Sequence, residues 1–271
     1  MTLLQSILLG IVQGLTEFLP ISSSAHLVLV PHLLEWEIPH EEAFIFDVLV
    51  QVASLAAVIL FFRGDLVRMA HSMLKGIQSR SPFADLDARL GWLILLATLP
   101  AGLIGLVLKD LVELAFASPR ATALSLWVTA GLLTAAEYLG SRGRSLQVLN
   151  WKDALWVGLA QAAAVFPGIS RSGATISGGM LRGLERQAAA RFAFLMSIPI
   201  MLAAGVVSSG DLLAIPDYAG YLPIFIPGFL ASAVVSYLSI RWLLVYLARS
   251  SLYLFAAYCA GLGTLVILLG L

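Results

Sequence analysis

Residues 17–26 read EFLPISSSAH and residues 167–175 read PGISRSGAT. Together they hold one carboxylate (Glu17), five serines (Ser22, Ser23, Ser24, Ser170, Ser172), one threonine (Thr175), one imidazole (His26) and one guanidinium (Arg171). This is an oxyanion-binding set. Arg171 supplies a rigid fork of donors suited to phosphate, and the proline and glycine breaks place loop amides and helix starts, with their positive dipole ends, next to the hydroxyls. A serine hydroxyl attacks a phosphorus only if a base takes its proton. Ser23 and His26 are three apart and share a face if the segment after the break is helical. Ser23 is then a candidate nucleophile, with His26 as its base or as the acid that protonates the leaving group. A Ser-x-x-His spacing is by itself a weak signal. Glu17, with Gln13 four residues earlier, offers oxygen ligands for Mg²⁺ or Ca²⁺, which would clamp diphosphate oxygens. The plainer reading of that pair is an interhelical hydrogen bond.

The elements that must position these groups are apolar. The 271-residue chain is 60% hydrophobic and 12% charged, with a mean hydropathy of +0.94, which is the composition of a multispanning membrane protein. Each ionised group at mid-membrane costs about 2.5–3.5 kcal/mol, so Glu17, His26 and Arg171 must face one another, a ligand or water. A Glu17–Arg171 pair that merely locks the structure would leave the serines and His26 without a purpose. Lone serines such as Ser54, Ser197 and Ser236 are expected to bond back to a carbonyl one turn earlier. The 16 basic and 16 acidic residues cancel, so net charge implies no nucleic-acid partner. Cys259 is the one cysteine, which excludes an internal disulfide, and no His/Cys cluster has zinc spacing. The N-terminus lacks a basic leader and a cleavage pattern, so a removable signal peptide is not expected. The stretch GATISGGML has no Walker lysine and follows no strand, which excludes a P-loop; its glycines suit close helix packing. His32, His40 and His71 take no role.

Six apolar runs have spanning length, roughly 43–62, 91–108, 122–140, 190–209, 222–247 and 251–270. Two further segments, about 2–34 and 151–187, are interrupted by LPISSS and PGISRSG. Each reads as two short helices around a loop, a re-entrant hairpin, because irregular backbone at membrane depth survives only where protein or water satisfies it. With an offset of 148, residues 10–24 align without gaps on 158–172: Gly10, Gln13, Phe18, Ile21, Ser22 and Ser24 match Gly158, Gln161, Phe166, Ile169, Ser170 and Ser172, and farther on Phe44 and Phe46 match Phe192 and Phe194. The expectation is an all-α polytopic membrane helix bundle, a single membrane domain in two repeats (1–140 and 151–271), each a hairpin plus three spans. Three crossings between equivalent points invert the second repeat, so the two hairpin tips enter from opposite sides and meet. Of 16 basic residues, all but Lys109, Arg120 and the tip residue Arg171 fall on one side of this topology. That side is cytoplasmic by the positive-inside rule, and the first hairpin opens outward.

The motifs QGLTEFLPISSSAH and PGISRSGATISGG, with FDVLVQVAS at 46–54, resemble those of the undecaprenyl-diphosphate phosphatase family, the bacitracin-resistance-associated lipid phosphatases of bacterial cell-wall synthesis. The likeness covers essentially the whole chain. It implies metal-dependent hydrolysis of undecaprenyl diphosphate to undecaprenyl phosphate and inorganic phosphate at the outer face of the plasma membrane, recycling the peptidoglycan carrier lipid. It further implies that bilayer lipid surrounds the protein, that bacitracin competes for the substrate and that no nucleic acid is bound, and it leaves room for a homodimer. By position, Gln13 and Glu17 match the metal-associated motif, Ser22, Ser23 and His26 the Pro-x-Ser-Ser-x-x-His site, and Ser170, Arg171, Ser172 and Thr175 the Pro-Gly-x-Ser-Arg-Ser-x-x-Thr loop. Ser24 joins the diphosphate-binding set, and Gln51 matches a polar position in the following span. Ala25 and Ala53 stand where many members carry glycine, and Gln13 where some carry glutamate, which removes one charge from the metal motif. Covalent phosphoserine and direct water attack both remain open. The rival from another class is an isoprenoid-lipid flippase or transporter, since inverted repeats with broken helices are also a transporter pattern. A purely structural bundle predicts that alanine at the tips leaves activity intact.

Overall fold

The computed structural model describes residues 1–108, 119–213 and 218–269. Among these there are eleven α-helices and no strand: α1 (Leu3–Thr16), α2 (Ser23–Leu33), α3 (His40–Phe61), α4 (Arg63–Gln78), α5 (Leu86–Val107), α6 (Pro119–Leu139), α7 (Trp151–Ala163), α8 (Arg171–Leu181), α9 (Arg186–Leu213), α10 (Leu222–Leu247) and α11 (Tyr253–Leu268). An all-helical answer follows from the composition, because a helix satisfies its own backbone where lipid offers no hydrogen bonds. Four helices are long and apolar enough to cross a membrane: His40–Phe61, Leu86–Val107, Arg186–Ser208 and Leu222–Leu247. At 22 to 26 residues they reach about 33–39 Å, enough for a hydrocarbon layer of about 30 Å. The expected count of six is met only in part. Helix α6 is long enough, but Thr122, Ser125, Thr129, Thr134 and Glu137 dilute its hydropathy, and α11 has 16 residues, about 24 Å. Lys109, one of the two basic residues placed on the sparse side, lies outside the described residues.

Both interrupted segments fold as helix, break, helix, with matching punctuation. Thr2 and Asn150, 148 apart, each close a capping box, with Gln5 and Asp153 respectively, so each hairpin begins by satisfying its orphan amides. The second helices, 23–33 and 171–181, have identical bounds after the same shift. Gly10 and Gly158 let the first helices lie backbone to backbone on later ones: a Cβ on Gly10 would strike the Gly228 carbonyl of α10, and one on Gly158 the Ala97 carbonyl of α5. Helix α1 accordingly packs on α10 and α7 on α5. Beneath the first break, Phe18 meets Phe194 edge to face with ring centres 5.4 Å apart, both buried.

The arginine-rich end is locked by two carboxylates whose side chains are fully buried. Glu137 accepts from Arg186 (2.6 and 2.7 Å), Arg142 (2.9 Å) and the Leu252 amide (2.8 Å). Asp153 accepts from Arg144 (2.7 Å), Arg182 (2.7 Å) and the Asn150 amide (3.2 Å). Burial alone would raise the Asp153 carboxyl, but the Arg144 and Arg182 guanidiniums and the Asn150 amide outweigh it and hold the group below the ordinary carboxylate range. Residues 63–78, which lie between the expected spans, form α4. Its exposed Val67, Leu74 and Ile77 alternate with Arg68, His71 and Lys75, while Met69 and Gly76 are buried, an amphipathic pattern shorter than a span.

Candidate active site

Two helix starts meet at one carboxylate. Ser23 is the first residue of α2 and Arg171 the first residue of α8. The Ser23 hydroxyl donates to Glu17 Oε2 at 2.6 Å, and the Arg171 guanidinium forms a charge-assisted bond to Glu17 Oε1. Gln13 Nε2 also donates to Glu17 Oε2, at 3.0 Å. The Gln13–Glu17 contact therefore lies within one helical turn and is not interhelical. Gln13 reaches across to α3 as well, through Ser54 at 3.5 Å. Its carbonyl oxygen is buried without a partner. An acceptor in that state fits a water or a cation.

The two breaks are stitched to each other by matched bonds. Ser22 caps α2 through the Ala25 amide and Ser170 caps α8 through the Gly173 amide, 148 residues on. Ser22 Oγ lies 3.2 Å from Ser24 Oγ, and Ser170 Oγ lies 3.1 Å from Ser172 Oγ. Across the tips, the Gly168 amide donates to Ser24 Oγ (3.2 Å) and Ser172 Oγ donates to the Leu19 carbonyl (3.0 Å). Thr129 of α6 holds the second tip by accepting from the Ser170 amide at 3.0 Å. Gly168 has φ +87° and sits so close to Thr122 and Ser125 that a Cβ would collide, which is why that break uses glycine. Ser22 has φ +71° without being glycine. A serine held there stores backbone strain at the element that presents Ser23.

Exposure divides the sequence-predicted residues into two groups. Gln13, Ser22, His26, Ser170, Ser172 and Thr175 are buried, whereas Ser23, Ser24 and Arg171 are partly exposed and the Glu17 side chain keeps a small exposed fraction. Thr175 bonds back to the Arg171 carbonyl at 2.8 Å, so it braces the start of α8. Gln51 is exposed on α3, one turn from Ser54. The expected Ser23–His26 pairing is not made. His26 Nδ1 lies 2.7 Å from the Ser22 carbonyl and Nε2 lies 2.7 Å from the Tyr258 hydroxyl, so both ring nitrogens are engaged elsewhere and the Ser23 hydroxyl turns to Glu17. Of the serines expected to bond back to their own helix, Ser54 and Ser197 do so. Ser236 instead meets Ser54 across the α3–α10 contact at 3.0 Å, where Ser232 joins them.

Residues 6–265 match the family described as Bacitracin resistance protein BacA. The chain belongs to that family. It is 45% identical over 264 residues to the undecaprenyl-diphosphatase of Rubrobacter xylanophilus, covering 97% of each chain. It is 41% identical over 278 residues to the protein of the same name from Chloroherpeton thalassium, covering 98% of this chain and 96% of that one, and 40% identical over 269 residues to the one from Myxococcus xanthus, covering 99% and 89%. Family and apolar helices together make this a membrane protein.

Sequence reasoning missed Tyr258, Thr129 and the Ser54–Ser232–Ser236 cluster. Tyr258 sits 232 residues from its partner, and no local spacing announces a contact of that range. The one available signal was a hydroxyl-bearing ring within an apolar run, the kind of side chain that finds a polar partner when its tip is buried.

Proposed function

We propose that this protein hydrolyses undecaprenyl diphosphate to undecaprenyl phosphate and inorganic phosphate, with the diphosphate at the meeting point of the two breaks and the isoprenoid tail among the apolar helices. The supporting observation is the placement of Ser23 and Arg171 on the two oxygens of one carboxylate. Donors that converge on a carboxylate also suit a phosphoryl oxygen, and both stand at helix N-termini whose first amides have no intrahelical partner. The relatives' shared name, undecaprenyl-diphosphatase, supplies the substrate class.

In this reading Arg171 binds the terminal phosphoryl group by its planar fork and stabilises the charge that develops there. Glu17 Oε2 takes the Ser23 proton as the oxygen attacks phosphorus. The bond to the bridging oxygen breaks, undecaprenyl phosphate leaves, and water then releases phosphate from the serine. The competing route, direct attack by water activated on Glu17, uses the same carboxylate. Ser23→Ala separates them, since persistent hydrolysis favours water. His26 acts in this reading through the Ser22 carbonyl that its Nδ1 binds, since both ring nitrogens are engaged away from Ser23. Ser24, Ser170, Ser172 and Thr175 build the walls of the anion site, and Gln51 lies on the neighbouring helix.

A divalent cation, Mg²⁺ or Ca²⁺, belongs to this proposal. Among the described residues no group of three His, Cys, Asp or Glu side chains could hold a metal ion, so the protein alone offers a partial site of Glu17 and the unpartnered Gln13 carbonyl oxygen. That fits a hard cation held by one or two protein oxygens plus substrate phosphates. When bound, it would offset diphosphate charge.

The topology we infer is the inverted repeat: residues 1–140 and 151–271, each a re-entrant hairpin plus three spans, in the bacterial plasma membrane with the arginine-rich end cytoplasmic and the tips opening outward. Matching caps, helix bounds and serine–serine contacts at one offset support it. Bacitracin then competes by sequestering substrate, and a homodimer is an assembly this topology permits. The test is phosphate release from undecaprenyl diphosphate by purified protein in detergent, lost on chelation and restored by Mg²⁺ or Ca²⁺. Lipid crossing a liposome bilayer with no phosphate released would overturn the hydrolase reading in favour of a transporter.

A further inference from the structure

The protons at His26 are fixed by its neighbours. Nδ1 lies 2.7 Å from the Ser22 carbonyl oxygen, and a carbonyl can only accept, so Nδ1 carries a hydrogen. In the neutral ring Nε2 is then a bare acceptor, and the group opposite it, at 2.7 Å, is the Tyr258 hydroxyl. The two rings are nearly parallel, 7° apart. Tyr258 does not act alone. The next residue, Cys259, donates its thiol to the Pro20 carbonyl at 3.7 Å, so two consecutive residues of α11 hold the first break and the helix that follows it. Tyr258 itself is about half-exposed, and its hydroxyl reaches inward to the buried imidazole.

We infer that Tyr258 is a positioning residue, donating to His26 Nε2 and thereby holding the ring as the Nδ1–H tautomer. Two consequences follow. The Nδ1–H to Ser22 carbonyl bond keeps Ser22 in its positive-φ conformation, so Tyr258 acts through His26 on the backbone that presents Ser23. Nε2 is also the one ring nitrogen free to take up a proton, and Tyr258 stands at it, able to donate to the neutral ring and to accept from the charged one. The orienting second partner of a histidine commonly sets its tautomer in this way.

The test has a spectroscopic and a kinetic arm, and only the kinetic arm rests on the hydrolase reading. Histidine-selective ¹⁵N NMR of the detergent-solubilised full chain, with His32, His40 and His71 replaced by Gln, isolates His26. At a pH where the ring is neutral, the expected spectrum has a protonated Nδ1 and an unprotonated Nε2, and Tyr258→Phe gives a mixture in which Nε2–H appears. A wild-type spectrum with the hydrogen on Nε2 overturns the inference whether or not the variant folds. In turnover, Tyr258→Phe lowers kcat about tenfold with KM within about twofold, and adds nothing in a His26→Ala background. Wild-type kcat together with an unchanged spectrum overturns it, as does a loss that persists undiminished without His26. Full turnover in His26→Ala removes His26 from the hydrolase reading but leaves the spectrum to decide the tautomer.

Discussion

The Glu17 carboxylate at the tips and the Asp153 and Glu137 carboxylates at the arginine-rich end all accept from arginine and differ in what else claims their lone pairs. Asp153 and Glu137 each receive two guanidiniums and a backbone amide, and their side chains are fully buried. None of those donors can give up its proton at ordinary pH. Glu17 receives one guanidinium, an amide of Gln13 and the hydroxyl of Ser23, and its side chain is 9% exposed. A hydroxyl can hand over its proton, whereas a guanidinium and a backbone amide cannot. Saturation by permanent donors makes a clamp, and one labile donor gives a carboxylate suited to the chemistry proposed above.

Substitutions at four positions and one titration would break or sharpen that contrast. The largest effect belongs to Arg171→Ala, expected to lower kcat by about 10²–10³, or about 2.7–4 kcal/mol, with Arg171→Lys recovering only part because the fork is lost. Phosphate release decides it, and turnover near wild type would remove Arg171 from phosphate binding. Next is Asp153→Asn, expected to cost about 3 kcal/mol of stability, at the low end for breaking a buried pair because the arginines can reach water. Thermal unfolding in detergent measures this, while turnover per folded molecule stays at wild type. Loss of turnover without loss of stability would abolish the distinction between clamp and tip carboxylate. Glu17→Gln reverses the pattern: about 100-fold lower kcat, a weaker response to added Mg²⁺ or Ca²⁺, and little change in melting temperature. Ser170→Ala removes a cap and should cost about 1 kcal/mol, seen as a small drop in melting temperature.

The smallest effect is in pH. Because the folded Asp153 carboxyl is held below its unfolded value, its stabilisation is fully present above about pH 4, the unfolded value, and fades as pH falls through the folded one. Unfolding measured from pH 8 to 3 should be flat in this contribution to about pH 4 and then decline, and Asp153→Asn should remove that part of the decline. An identical acid limb in the variant would place the titrating group elsewhere.

Much of the scaffold was legible in the chain. Both interrupted segments fold as helices with breaks where Pro20 and Pro167–Gly168 stand, since proline cannot continue a hydrogen-bonded ladder and glycine tolerates φ +87°. The convergence of Glu17 with Arg171 was foreseeable because an apolar surrounding leaves an ion no other partner. The acceptor facing Ser23 was not. Helical spacing favoured His26, but the ring turns to its own helix start and to α11, and Glu17 reaches Ser23 from across the break. Helix α4 escaped notice because its polarity resembles that of a loop until one face is seen to pack.

The sequence by itself determined the all-helical class, the two broken segments and most of the tip residues, because hydropathy, proline and glycine act locally and buried charge demands a partner whatever the fold. Only the tertiary structure decided which proton belongs to which acceptor. Hydrogen bonds are settled within about 3 Å, and the groups that compete for Ser23, His26 and Glu17 arrive from helices as far as 232 residues away along the chain.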